Sequence, residues 1–340
     1  MQQVTLKRAC QAPRRSERRW ARLALGLAPF AAMLLSSCRE PAADVRKQPT
    51  QAVKNPTGTA RPEQPAGPAP AAAFFEGALA LPGPVSDGTR RPLVVYLHGL
   101  GGSGAGSLRA LRLEAFAKRH GVTVVAPDGD VDSLGRRFWD AHPACCNFDP
   151  KPVDHVRSLG LLVKEATRRY FVDRERIYVI GYSNGGFMAE RLACAMGERL
   201  AGIASIAGAS PNPSLPCGAP KSKSANLGLS VLLVHGDRDA VVRYAGGSVF
   251  DDPRLPPHPS AMQGLSFWSV VLGCKGSPET PEPLDLLRGL PGRETVPRAY
   301  SSCAYGHAEL WTLRGGRHNT GADPALIEHI WRFFESHAPG

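Results

Sequence analysis

The sequence predicts an α/β fold: a doubly wound, mostly parallel sheet with helices on both faces. Three observations carry that expectation. Short apolar, β-branched runs alternate with stretches of helical periodicity between residues 92 and 334. One run, Arg176 to Ile180, breaks at Gly181-Tyr182-Ser183-Asn184-Gly185, and a helical pattern resumes at once with Phe187, Met188, Leu192 and Ala193. Two later runs end beside residues able to do acid–base chemistry, Asp237 and Asp239 after the first and His318 after the second.

In chain order, residues 92–97 form a buried strand that runs into His98-Gly99-Leu100-Gly101-Gly102. A helix around Leu111–Ala117 follows, then a strand at 122–127. Residues 130–153 read as a loop holding Trp139 and the adjacent Cys145 and Cys146. Val156–Tyr170 is an amphipathic helix, and Asp173–Arg176 turns into the Ser183 strand. Strands follow at 200–208 and 231–236, a helix at Met262–Leu272, a Pro-rich connection, a strand at Glu309–Leu313 and a closing helix at 324–334.

The chain before residue 73 is of another kind. Lys7, Arg8, Arg14, Arg15, Arg18, Arg19 and Arg22 stand against Glu17 alone in residues 1–37, so more than half of the +11 net charge lies there. An apolar run from Leu23 to Leu35 is too short for a comfortable membrane span and ends in Leu35-Ser36-Ser37-Cys38. That ending resembles a lipobox, so residues 1–38 are expected to be a lipoprotein signal, with lipid on Cys38. Arg39, where an aspartate tends to retain lipoproteins at the inner membrane, favours the outer membrane or cell surface; a plain signal peptide would instead give a periplasmic or extracellular protein. Residues 39–72 are rich in Pro, Ala and Gln without apolar periodicity and read as a disordered tether. The folded domain is expected at 73–340. No basic stripe interleaved with aromatics points to nucleic acid. The cysteines lack zinc spacing and their number suggests an oxidising compartment. No metal or organic cofactor is implied.

A serine hydroxyl needs a base to become a nucleophile, and the base needs a carboxylate to fix its tautomer. Ser183 sits where a strand, a sharp turn and a helix meet, which lifts its hydroxyl off the sheet edge. Both Asp237 and Asp239 follow a strand; the pattern His-Gly-x-x-Asp-x-x-Val favours Asp239 as the acid and leaves Asp237 to bond its own turn. His318, past the last strand, is the candidate base, with His307 as the runner-up. His98 and His235 read as structural, and His120, His258, His329 and His337 as surface residues. The backbone N–H groups of Leu100 and Asn184 are the candidate oxyanion donors. Serine, acid, histidine is the chain order of the α/β-hydrolase fold.

The resemblance is broader than the triad. Leu97-His98-Gly99-Leu100-Gly101-Gly102, Trp139 with Cys145-Cys146, Val153-Asp154-His155-Val156, Gly181–Ala189, Arg191–Cys194, His235–Asp239 and Gly315–His318 together resemble the esterase group of polyhydroxybutyrate depolymerases, LpqC-like secreted proteins and feruloyl and acetylxylan esterases. The chain departs from it at His155, where an aspartate is usual, and after His318, where Thr-Trp-Pro-Gly is usual. The resemblance implies an ester substrate, of polyhydroxyalkanoate, feruloyl or acetyl-polysaccharide type and possibly polymeric in form, and a Cys274–Cys303 disulfide. For the other cysteines, a bridge from Cys145 or Cys146 to Cys194 would tie the loop to the Ser183 helix. Trp139 and Phe148 read either as an aromatic wall for substrate or as packing under the loop. A peptidase or amidase on the same fold, and a non-catalytic envelope binding lipoprotein, are the competing readings.

Overall fold

A computed structural model describes residues 76–80, 88–211, 217–218 and 228–338. The expected signal, Cys38 and the tether at 39–72 lie outside the described residues. The strands are β1 (Gly77–Ala80), β2 (Arg91–Leu97), β3 (Thr123–Pro127), β4 (Asp130–Val131), β5 (Arg137–Phe138), β6 (Val172–Tyr182), β7 (Gly202–Ile206), β8 (Leu229–Gly236), β9 (Thr295–Tyr300) and β10 (Gly306–Leu313). The α-helices are α1 (Gly104–Ala110), α2 (Leu113–His120), α3 (His155–Arg169), α4 (Asn184–Met196), α5 (Ala261–Val271) and α6 (Pro324–Ser336).

Eight strands form one sheet in the order β1-β3-β2-β6-β7-β8-β10-β9, and β4 pairs with β5 in a separate hairpin. The six central strands run parallel, while β1 and β9 lie antiparallel on the two edges. Strands covered on both faces read as continuous apolar runs, and β2 and β8 are buried almost throughout. Side-chain alternation divides the core. Leu93, Val95, Leu97 and Val179 pack with Leu159, Phe187 and Trp268 on the α3–α4–α5 face. Val94, Tyr96, Tyr178 and Ile180 pack with Phe116, Trp331 and Phe334 on the α2–α6 face.

The expected strand–helix alternation is present, with five local differences. The helix expected at 111–117 is two helices, broken at Arg112, which takes the left-handed conformation (φ 53°). The expected turn at 173–176 is part of β6, whose first residue pairs with Arg91 beyond a register shift. The loop at 130–153 carries the β4–β5 hairpin. The Pro-rich connection hides β9, and β1 is an edge strand of only four residues. Short or irregular edge strands leave little periodicity to read.

Helix ends follow the sequence chemistry. Asp154 caps α3 by accepting from Arg157 N at 3.0 Å, and Ser260 with Gln263 forms a reciprocal capping box on α5. Asp323 caps α6, with Pro324 in the first turn.

Candidate active site

The parallel strands point their C-terminal ends at one edge of the sheet, and the chemistry collects there. At the end of β6 the chain turns directly into α4 through Ser183, which takes φ 54° and ψ −120°. A non-glycine residue adopts that conformation only where its surroundings hold it. Here Ser183 N–H donates to Ile206 O at 2.7 Å, and Ser183 O accepts from Gly186 and Phe187. A Cβ on Gly181 would collide with the Gly185 carbonyl, and one on Gly185 with the Leu97 carbonyl, so strand and helix meet only because both are glycine.

The candidate acid follows β8 and the candidate base follows β10. These strands are hydrogen-bonded neighbours in parallel register, Gly236 opposite Leu313, so their loops emerge side by side. The loops are also tied together: Arg238 N–H donates to Gly316 O at 2.9 Å, and Gly315 N–H donates to Asp237 Oδ1 at 2.7 Å. Asp237 therefore bonds the loop carrying His318 rather than its own turn, contrary to the sequence expectation. The sequence had no means of placing Gly315 beside it.

His318 Nδ1 lies 2.7 Å from Asp239 Oδ2, and His318 Nε2 lies 2.9 Å from Ser183 Oγ. A carboxylate only accepts, so the Nδ1 hydrogen belongs to the Asp239 bond and Nε2 presents its lone pair to the serine hydroxyl. The other oxygen of Asp239, Oδ1, accepts from Val241 and Val242 N–H at 2.8 and 2.9 Å. Burial pushes the Asp239 carboxyl up, but His235, His318 and the Val241 amide outweigh it and hold the group well below the usual carboxylate range. His235, expected to be structural, lies 3.5 Å from Asp239 Oδ2 while its Nε2–H donates to Val242 O at 2.7 Å. His307, the runner-up base, instead pairs with Glu309 at 3.1 Å and stacks against His337.

Gly99 to Gly102 forms a tight turn closed by Gly102 N–H to Gly99 O at 2.9 Å. This turn abuts the serine: a Cβ on Gly99 would lie 3.3 Å from Ser183 Cβ. Leu100 is thus brought beside Ser183, and Asn184 opens α4 directly after it. Below the turn, His98 donates through Nδ1 to Gly99 O at 2.8 Å and accepts at Nε2 from Gly129 N–H at 3.0 Å. Burial lowers the His98 pKa, consistent with that neutral tautomer. A recess of about 320 Å³, lined in part by Leu100, Tyr182 and Ala322, opens alongside.

Three contributors were not legible in the sequence. Tyr182 donates its hydroxyl to His318 O at 3.1 Å, bracing the base loop, and burial followed by the Asp239 charge pushes its phenol up to about 12. The Asn184 side chain pairs with the Trp139 backbone, accepting from its N–H at 2.7 Å and donating to its carbonyl at 2.8 Å. Trp139 also donates its indole N–H to His98 O at 2.9 Å. It is only 1% exposed and so is packing under the loop, not an aromatic wall. The third, Glu190, lies fully buried on α4 and accepts from Ser210 and from Trp268 Nε1; burial raises its pKa. The polar residue following Ser183 was the one available signal, for Asn184.

Other placements differ. His258 is buried at 4% exposure against Phe187, and His120 pairs with Glu328, so neither is a simple surface residue. Cys194 pairs with Cys217, and Cys145 with its neighbour Cys146, which overturns the expected bridge to Cys194; Cys217 had no pattern to mark it. Cys274 and Cys303 are joined as expected. Among the described residues no cluster of three or more His, Cys, Asp or Glu side chains is arranged to hold a metal ion, and no helix is long and apolar enough to cross a membrane.

Residues 85–252 match the family described as phospholipase/carboxylesterase. Feruloyl esterase B from Piromyces equi is 27% identical over 232 residues, 68% of this chain and 40% of that protein. A poly(3-hydroxybutyrate) depolymerase from Ralstonia pickettii is 28% identical over 137 residues, 38% of this chain and 27% of that protein. The chain thus spans less than half the length of these curated relatives. Among solved structures, acetyl xylan esterase from Aspergillus awamori superposes with a TM-score of 0.51 at 14% identity, covering 76% of this chain and 92% of that one. At that identity the likeness speaks for the fold.

Proposed function

We propose that this chain, with its α/β-hydrolase fold, is an exported serine esterase that cleaves carboxylic esters through an acyl-enzyme. The observation that carries the reading is the continuous Asp239–His318–Ser183 bond chain, 2.7 Å then 2.9 Å. Ser183 Oγ attacks the ester carbonyl as His318 Nε2 takes its proton. Asp239 keeps the imidazole in the required tautomer and stabilises it once charged. The developing oxyanion is held by the N–H groups of Leu100 and Asn184. His318 then protonates the leaving alcohol, and a water activated by the same base releases the acid.

Relatives named for feruloyl esters and poly(3-hydroxybutyrate), and the fold neighbour named for acetyl xylan, supply the three candidate ester classes. Export agrees with three disulfides among the described residues. We place the protein at the cell envelope through lipid on Cys38, with residues 39–72 as its tether.

Labelling with a fluorophosphonate probe tests the assignment. Wild type should be labelled and should hydrolyse p-nitrophenyl acetate, and Ser183→Ala should lose both. Hydrolysis that persists in that variant would falsify the nucleophile. Cleavage of anilides in preference to matched esters would replace the esterase by an amidase. Absence of labelling at Ser183 together with absence of ester and amide turnover would leave a binding protein. Mass spectrometry of the mature N-terminus, seeking a diacylglyceryl Cys38, tests the anchor.

A further inference from the structure

A cavity of about 620 Å³ opens between the end of β3 and helix α3. Its lining includes none of Ser183, Asp239, His318 or Leu100. Pro127, Leu159, Leu161 and Leu162 give it aliphatic walls, and His155 and Asp130 stand among them. Leu161 is 57% exposed, whereas His155 is only 3% exposed.

His155 brings a hydrogen-bond donor to this cavity. Its Nδ1 accepts from Asp140 N–H at 2.9 Å, so the ring hydrogen sits on Nε2. Burial lowers the pKa, which agrees with a neutral ring. Phe138 and Trp139 flank the ring edge-on, at centroid distances of 5.7 and 5.3 Å, and hold its direction. Nε2 is buried and has no hydrogen-bond partner among the described residues. Buried donors are paired in nearly all folded proteins, so an orphan on a cavity wall points to something that fills the space. Asp130 Oδ2, on the same cavity, lies 3.9 Å from Nε2, too far for a direct bond. An oxygen placed about 2.8 Å from both atoms would subtend an angle of about 90° between them, close to that of a hydroxyl accepting from one and donating to the other.

Charge narrows the occupant. Glu76, Asp128, Asp130 and Glu165 border the cavity against Lys164, which disfavours an anion. Asp128 and Glu76 pair with Arg137 at 3.2 and 3.8 Å, and Glu165 pairs with Arg168 and Arg169 at 2.6 and 2.5 Å. Asp130 has His155 as its one ion-pair neighbour among the described residues. An ammonium group would suit Asp130 but would turn its hydrogens towards the hydrogen on His155 Nε2. A polyol needs several polar partners, and three of the four carboxylates are already engaged. A single hydroxyl satisfies both His155 and Asp130, and the aliphatic walls take a hydrocarbon body out of water.

We propose that this cavity is a second binding site, which takes an uncharged aliphatic alcohol with its hydroxyl between His155 Nε2 and Asp130 Oδ2. Binding here does not depend on the esterase reading, so the test uses full-length protein carrying Ser183→Ala, which removes turnover. Hexanol and its isomer pentyl methyl ether are titrated by ligand-observed NMR; the ether keeps the acceptor oxygen but has no hydrogen for Asp130. Hexanol should bind about fivefold more tightly than the ether, the worth of one hydrogen bond. Adding Asp130→Ala should bring hexanol down to the affinity of the ether and leave the ether unchanged. Adding Leu161→Glu instead should weaken both by about threefold or more, since it puts a charge on the aliphatic wall. Both side chains are more than half exposed, and an unchanged Tm shows that each variant is folded. Equal affinity for hexanol and ether in the parent, or a preference that survives Asp130→Ala, overturns the proposal. So does tighter binding of hexylamine, hexanoate or glycerol, and so does no binding at all, which would leave the cavity to water.

Discussion

The Asp239 carboxylate meets His318 Nδ1 at 2.7 Å through one oxygen while the amides of Val241 and Val242 hold the other at 2.8 and 2.9 Å. The carboxylate is thereby held in one direction by the two amides, independently of its bond to His318. Asp239→Asn keeps the shape and loses the charge, and its amide N–H₂ competes for the wrong imidazole tautomer. We expect kcat for p-nitrophenyl acetate to fall by roughly 10³–10⁴-fold. Asp237→Asn still offers an oxygen to Gly315 N–H, so kcat should stay within about threefold, a loss well below the few kcal/mol of a buried orphan. Equal losses in the two variants would count against Asp239 as the acid.

Asp239 and Glu190 bend the pH–stability curve in opposite directions. The folded pKa of Asp239 is depressed, so its contribution is present above the ordinary aspartate pKa and is lost as pH falls below it. The folded pKa of Glu190 is raised, so the folded state binds the extra proton and stability declines as pH rises above the ordinary glutamate value. Glu190→Gln, which mimics the protonated acid, should raise Tm at pH 7 and change it little at pH 4. Thermal melts at both pH values read this directly, and a lower Tm at pH 7 would show that Glu190 is ionised in the folded protein.

Asn184→Ala retains the backbone N–H at the elbow and removes both bonds to Trp139. Two backbone groups of Trp139 then lose their partners in a buried place, at about 1–3 kcal/mol each. We expect a fall of several degrees in Tm and a decrease in kcat with little change in KM. A stable variant with full kcat would mean that the loop holds its position unaided.

The Cys274–Cys303 bridge spans 29 residues that include most of the Pro-rich connection. Constraining a loop of that size in the unfolded chain is worth about 2–4 kcal/mol. The double alanine variant should unfold at correspondingly lower denaturant while keeping kcat in its folded fraction, since neither cysteine contacts Ser183, Asp239 or His318. Chevron or equilibrium unfolding checks the first part and steady-state kinetics the second.

What was legible in the sequence was local or ordinal. Gly181 to Gly185 announces its turn because the constraint lies within five residues, and the serine, acid, histidine order follows from strands that could each be read singly. What was not legible depends on distant neighbours. The bond from Asp237 to Gly315 bridges 78 residues and the Asn184–Trp139 pair bridges 45. His258 is polar in sequence yet buried against Phe187, because the neighbours that cover it come from other segments. Cys194 could be assigned to Cys217 only once a fold brought them together, and β1 and β9 were missed because edge strands need not repeat apolar residues every second position.

Ser183 and His318 stand 135 residues apart in the chain. On a ribosome adding about 5–20 residues per second, the stretch that shapes the serine emerges many seconds before the imidazole that would deprotonate it. Until His318 has been made, the chain lacks the imidazole that meets Ser183 Oγ. The bond chain from Asp239 to Ser183 is therefore the last part of the candidate site to be completed, once the strand preceding His318 has joined the sheet.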